Sequence, residues 1–143
     1  MNIFVLDKNP FKAAEYHYDK HVVKMILETA QILETVRSLW DIPCTLKPTR
    51  MHHPCVKWAQ HPVHFAWLSH LGLGLLDEYE KRYNRVHKYA SLIEDNSCLM
   101  GTVDRFYPKN WVYCMPDKYK IDGYIVESYR NYYMSKSFAK WIN

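Results

Sequence analysis

The chain has 143 residues, 48% of them hydrophobic and 24% charged, with a formal net charge of +4. That length supports one core, and the apolar fraction excludes an intrinsically disordered chain. No apolar run approaches the ~20 residues needed to cross a bilayer, and with 4 glycines a Gly-rich phosphate loop is excluded.

MNIFVLD opens the chain with an apolar run too brief to assign to a strand. Asn9 is a natural N-cap and Pro10 suits the first helical position. Asp19 is a second cap candidate, for a helix running to about Trp40. Pro43, Pro48 and Pro54 then break regular structure through DIPCTLKPTRMHHP. His61-Pro62 starts a second long helix, expected over roughly 62–90, with Phe65, Leu68, Tyr79, Tyr83 and Val86 at helical spacing. Gly72 and Gly74 inside it predict the close approach of another helix, since each costs about 0.5–1 kcal/mol relative to Ala. EDNSCLMGTVDRFYPKNW reads as loop, MPDKYKIDGY as turn, and a last helix is expected over about 124–141. The sum is an all-α, single compact domain over residues 1–143, with two long helices, shorter helices and extended loops. Cys44, Cys55, Cys98 and Cys114 form no CxxC pair. With no signal peptide, they predict reduced thiols in a soluble, cytoplasmic protein.

Three groups of residues carry candidate chemistry. On a wheel with His21 at zero, Met25, Ile26, Leu33 and Val36 fall between about 40° and 140°, and Val23, Leu27 and Ala30 extend the apolar surface to about 240°. His21, Lys24, Glu28 and Gln31 share the remaining arc of about 100°. Lys24 and Glu28 are read either as a surface ion pair or as a carboxylate held in a cleft between cation and imidazole. His61 and His64 have the spacing of a shared metal ligand pair, but no tighter ligand pattern accompanies them; helix caps and core histidines are the ordinary alternative, and no metal or other cofactor is expected. Tyr129, Arg130, Tyr132, Tyr133 and Lys136 form an aromatic, basic cluster that suits base stacking and phosphate contact, or equally a core face with its cations in solvent.

Three segments in order resemble the pyrimidine-dimer DNA glycosylase family, the endonuclease V type of phages and algal viruses with its bacterial relatives. DKHVVKMILE looks like that family's first helix, with Asp19 and His21 on an Asp-x-His and Glu28 on the catalytic glutamate. HHPCVKWAQHPVHFAWL matches a His-Pro-x-x-x-Trp pattern through His53, Pro54 and Trp58, and YRNYYMSK resembles the C-terminal segment used against damaged DNA. The resemblance implies an endonuclease V-like fold and damaged or modified duplex DNA as partner. It also implies an N-terminal amine attacking the sugar C1′, with a glutamate moving protons; an α-amine, with an ordinary pKa near 7.7–8.0, suits that task. Glu28, Met1 and His21 become the expected catalytic residues. Asp19, Lys24, Gln31, His53, Trp58 and the cluster of Tyr129, Arg130, Tyr132, Tyr133 and Lys136 become the expected substrate contacts.

Three departures from the family pattern bear on this. Asn2 is not small, so Met1 is expected to remain and to supply the amine. Leu27 and Gln31 stand where the family has arginines, which thins the phosphate clamp. The stretch before Asp19 is longer, which predicts a poorer reach from the N-terminus to Glu28. These departures favour a second reading, a protein that holds a small nucleotide or nucleotide signal in the same cleft without cutting DNA.

Overall fold

A computed structural model describes residues 1–100 and 107–136. Six helices and one 3-10 turn occur among the described residues, with no strand. The helices are α1 (Pro10–Glu15), α2 (Asp19–Leu39), α3 (Pro54–Ala59), α4 (Pro62–Tyr83), α5 (Ala90–Leu99) and α6 (Ile125–Met134).

Local chemistry sets most of these boundaries. The Asn9 side chain accepts from the backbone N–H groups of Phe11 and Lys12, and Pro10 follows as the first helical residue. His53 and His61 cap α3 and α4 in the same way, each ring nitrogen accepting a backbone N–H two residues on, each with a proline next. The capped His53-Pro54 turn yields a short helix where three prolines predicted none. α4 stops at Tyr83 rather than near 90 because Asn84 takes the left-handed conformation, φ 53°. α2 spans almost the expected range, although Tyr18, not Asp19, is its N-cap residue. Asp19 instead sits in the first turn and pairs with Arg82.

The core forms where α1, α2 and α5 pack around α4. Phe65, Leu68, Leu71 and Leu75 of α4 are each at most 1% exposed, and such burial stabilises by about 1.5–3 kcal/mol per side chain. A methyl group at Gly72 would lie 2.8 Å from Ile93 of α5 and 3.3 Å from Thr29 of α2, and one at Gly74 would lie 2.8 Å from Ala14 of α1. The two glycines therefore admit three neighbouring helices, not one. Burial of Ile93 against Gly72 also explains why residues 94–99, expected as loop, continue α5.

The opening MNIFVLD segment is extended chain buried as deeply as any helix, with Ile3 to Leu6 at 1–5% exposure. Arg130 of α6 donates to the Leu6 carbonyl, and Tyr129 bonds to Asn2. Arg82 ties the α1–α2 corner to α4 through the carbonyls of Glu15 and His17 and the carboxylates of Asp19 and Glu78. The expected helix over 124–141 is seen as Ile125–Met134; residues 137–143 lie outside the described residues.

Candidate active site

Glu28 lies in the middle of α2. Thr29, next to it, turns inward against Gly72, so Glu28 projects toward a different neighbour. That neighbour is the N-terminus: the Met1 α-amino group is 2.9 Å from Glu28 Oε1. The Met1 side chain is 3% exposed and that of Glu28 13%, so the pair sits at the rim of the core and not in open solvent. The longer stretch before Asp19 does not limit this reach, because α1 folds the extra residues back against α4 while MNIFVLD threads inward. The carboxylate meets the N-terminal segment through the Met1 amine.

His53 forms the third side of the site. Its Nδ1 accepts the Cys55 N–H at 3.0 Å, so in the neutral ring Nε2 carries the proton. Burial lowers the basicity of His53, the positive charges of the Met1 amine and Arg50 lower it further, and Glu28 partly opposes them. The Met1 amine, Arg50 and Glu28 are thus the charges that His53 senses. Arg50 was not singled out by the sequence. It is exposed, has φ 50°, and its carbonyl accepts the His53 N–H at 2.9 Å. Lys24 and Gln31 stand one turn before and after Glu28 on the same helix face. Lys24 is exposed and Gln31 half-buried, and among the described residues no ion pair joins Lys24 to Glu28. The surface-pair reading of Lys24 is thereby displaced by the amine.

Several expected site residues lie elsewhere. His21 is two helical turns from Glu28, about 10 Å along the axis, too far to exchange a proton with it. Its ring stacks on Tyr18 at 4.7 Å, bonds to the Tyr133 hydroxyl at 3.0 Å, and is kept neutral by burial, its pKa lowered to about 2. Tyr129 and Tyr133 are 0% and 3% exposed, so neither offers a ring face to a base. Their hydroxyls instead fasten Asn2 and the Tyr18 backbone. Tyr132 is half-buried between Phe4 and Tyr119, with the Lys136 ammonium 4.4 Å above its ring. Arg130 is committed to Leu6 and Asp7, and Asp19 to Arg82. Trp58 is buried, stacked between His64 and Trp111, its indole N–H on the Lys109 carbonyl. His64 spends both ring nitrogens on the backbone of Trp58 and Lys109, and His61 spends one on its cap, which accounts for that pair structurally. No helix among the described residues is long and apolar enough to cross a membrane.

No curated protein and no solved structure matches the chain. A family model described as pyrimidine dimer DNA glycosylase matches residues 1–90. The matched stretch contains Met1, Glu28, Arg50 and His53 and ends before the tyrosine helix α6. Spanning more than half of the 143 residues, with an all-helical fold behind it, the match makes the chain a member of the pyrimidine dimer DNA glycosylase family.

Proposed function

We propose that this chain excises pyrimidine dimers from duplex DNA as a glycosylase with lyase activity, using the Met1 amine as nucleophile and Glu28 as proton carrier. The observation that supports the reading is the 2.9 Å contact between the two groups. A proton passed from the ammonium to Glu28 frees the nitrogen lone pair. The amine then bonds to C1′ of the damaged nucleotide, while the base leaves with the electrons of the glycosidic bond and takes up a proton. Loss of the second nitrogen proton and opening of the sugar, with the ring oxygen protonated, give a Schiff base. Removal of a C2′ proton drives out the 3′ phosphate with its C–O electron pair, and water hydrolyses the imine. Glu28 has access to each of these protons because it is partly exposed and its partner is the nucleophile itself. His53 stays neutral and fixes the wall of the site, and Arg50, Lys24 and Gln31 supply polar contacts to the sugar-phosphate backbone. Arg130, exposed although bonded to Leu6 and Asp7, and Lys136, half-buried over Tyr132, are the cations of the C-terminal cluster.

The test is borohydride trapping on a duplex carrying one defined pyrimidine dimer. A covalent adduct mapped by peptide mass spectrometry to the Met1 amine is the expected result. Absence of both adduct and strand cleavage at the dimer in irradiated duplex would overturn it.

A further inference from the structure

Resting on that reading, we infer that Asn2 and Tyr129 are positioning residues that hold the reactive amine in register with Glu28. An α-amine at the end of a chain has no side-chain rotamer to fix it, so its place depends on whatever immobilises the next residue. Here that residue is bonded on both faces of its amide. Asn2 Nδ2 donates to the Cys114 carbonyl at 2.9 Å, while Oδ1 accepts from the Ile3 N–H at 2.7 Å and from the Tyr129 hydroxyl at 2.9 Å. The Cys55 thiol lies a further 3.9 Å from the same oxygen.

Tyr129 is suited to this role by its burial. Its ring is fully enclosed, and burial pushes its hydroxyl well above the ordinary tyrosine range, so it remains a donor. The hydroxyl accepts the Cys114 N–H at 3.2 Å and shares its proton between Asn2 and the Val112 carbonyl at 3.0 Å. One segment, residues 112–114, is thus held by both members of the anchor. The Asn2 pattern needs an acceptor and a donor on one short side chain. Aspartate lacks the donor, and a small residue lacks both. The register matters because consecutive residues are about 3.8 Å apart. An amine presented by residue 2 instead of residue 1 would lie a full residue further from Glu28, or would reach it only by drawing the residue 2 side chain out of the anchor.

Asn2→Asp and Tyr129→Phe test this, because both keep a bulky second position or leave it untouched and so leave Met1 in place. Two readouts are taken on each folded variant. The first is the single-turnover rate of borohydride trapping on dimer-containing duplex, beside duplex binding without borohydride. The second needs no DNA: the rate at which formaldehyde and cyanoborohydride label the Met1 amine, with exposed Lys24 as internal clock. The anchor predicts trapping about tenfold slower or worse, binding changed less than about twofold, and Met1 labelled several-fold faster relative to Lys24. A residue that only stabilises the fold would lower the melting temperature and leave both rates per folded molecule unchanged. Unchanged labelling and trapping in both variants overturn the anchor. If the unaltered protein traps nothing, the catalytic reading falls, and the labelling ratio alone decides whether Asn2 and Tyr129 hold the terminus.

Discussion

Two glutamates six residues apart on α2 show what separates scaffold from chemistry in this molecule. Glu34 is 1% exposed and saturated. Its Oε1 accepts the backbone N–H groups of Thr45 and Leu46 at 2.7 and 3.1 Å, and its Oε2 accepts from Asn96 at 3.1 Å. These bonds fasten the irregular 41–53 segment to α2 and α5. Glu28 is partly exposed, and the partner it holds is the Met1 α-amino group, the nucleophile of the proposed reaction. Enclosed with its three donors and with Arg37 at 3.9 Å, Glu34 is shut off from a migrating proton, whereas a carboxylate at the rim with an amine partner is open to one. Both occur on the same helix, so residue type and helix position alone do not tell them apart; accessibility and the identity of the partner do.

Substituting each glutamate sharpens that contrast. Glu28→Gln keeps the shape and removes the proton carrier. Dimer excision is expected to fall by about 10²–10⁴-fold, read as strand cleavage at the dimer under single-turnover conditions, with the thermal transition nearly unchanged. Equal excision by this variant would break the comparison. Glu34→Ala should do the reverse. It strands two backbone N–H groups and an amide, for a loss of about 3 kcal/mol in urea unfolding, while activity per folded molecule is retained. A loss of catalysis without a loss of stability in Glu34→Ala would erase the distinction.

The long-range part of the site was hidden from sequence for a physical reason. Helix periodicity put Glu28, Lys24 and Gln31 on one face, and the caps at Asn9 and His61 located two helix starts. Periodicity also put His21 on that face, but a shared face does not imply contact: two turns of helix separate it from Glu28. The same pattern made Val23 and Leu27 core residues, yet Val23 is exposed and Leu27 half-buried, while Thr29, Glu34 and Thr35 are buried. Neighbouring segments satisfy those polar groups, as Thr35 does with Thr49, and a one-dimensional pattern carries no trace of them. The tyrosines of α6 are the clearest instance. Their spacing fitted both a DNA face and a core face, and their burial against MNIFVLD, more than a hundred residues away in sequence, selects the core for Tyr129 and Tyr133. The Met1–Glu28 contact had no local signature at all; it came from the family resemblance.

The region around the start of α2 offers a smaller effect, set by two buried histidines remote from Glu28. His17 and His21 are held neutral by burial, with pKa values lowered from 6.5 to about 4 and about 2. Neighbouring Arg82 adds to the shift of His17, and His17, Lys136 and Lys24 to that of His21. Both rings bind protons more weakly folded than unfolded. Their contribution to stability is therefore complete above about pH 6.5 and is lost as pH falls toward 4, with His21 continuing toward 2. Each ring contributes a slope of up to about 1.4 kcal/mol per pH unit. His21→Phe, which keeps the packing on Tyr18 and Phe4, should take up to about 1.4 kcal/mol per pH unit from the slope that urea midpoints show between pH 6 and 4.5. An unchanged slope would place the acid sensitivity in other groups.

The smallest effect concerns Arg50, and it asks whether the Glu28 rim, unlike the sealed Glu34 pocket, faces the DNA backbone. The family resemblance implies arginines where this chain has Leu27 and Gln31, so in the proposed reaction phosphate neutralisation at this rim falls to another element. Arg50 qualifies on three counts: it is exposed, its charge reaches His53, and its carbonyl is bonded to the His53 N–H. That bond fixes where the turn sits relative to the amine. A single phosphate contact contributes about one unit to the salt dependence of binding. Arg50→Ala should therefore weaken binding to irradiated duplex several-fold at low salt and reduce the log–log salt slope by about 1, while Arg50→Lys keeps the slope. Glu34→Ala, tested alongside, should leave the slope where it is. If Arg50→Ala also leaves it there, the DNA backbone does not cross the rim at this turn, and Lys136 beyond α6 becomes the cation to substitute next.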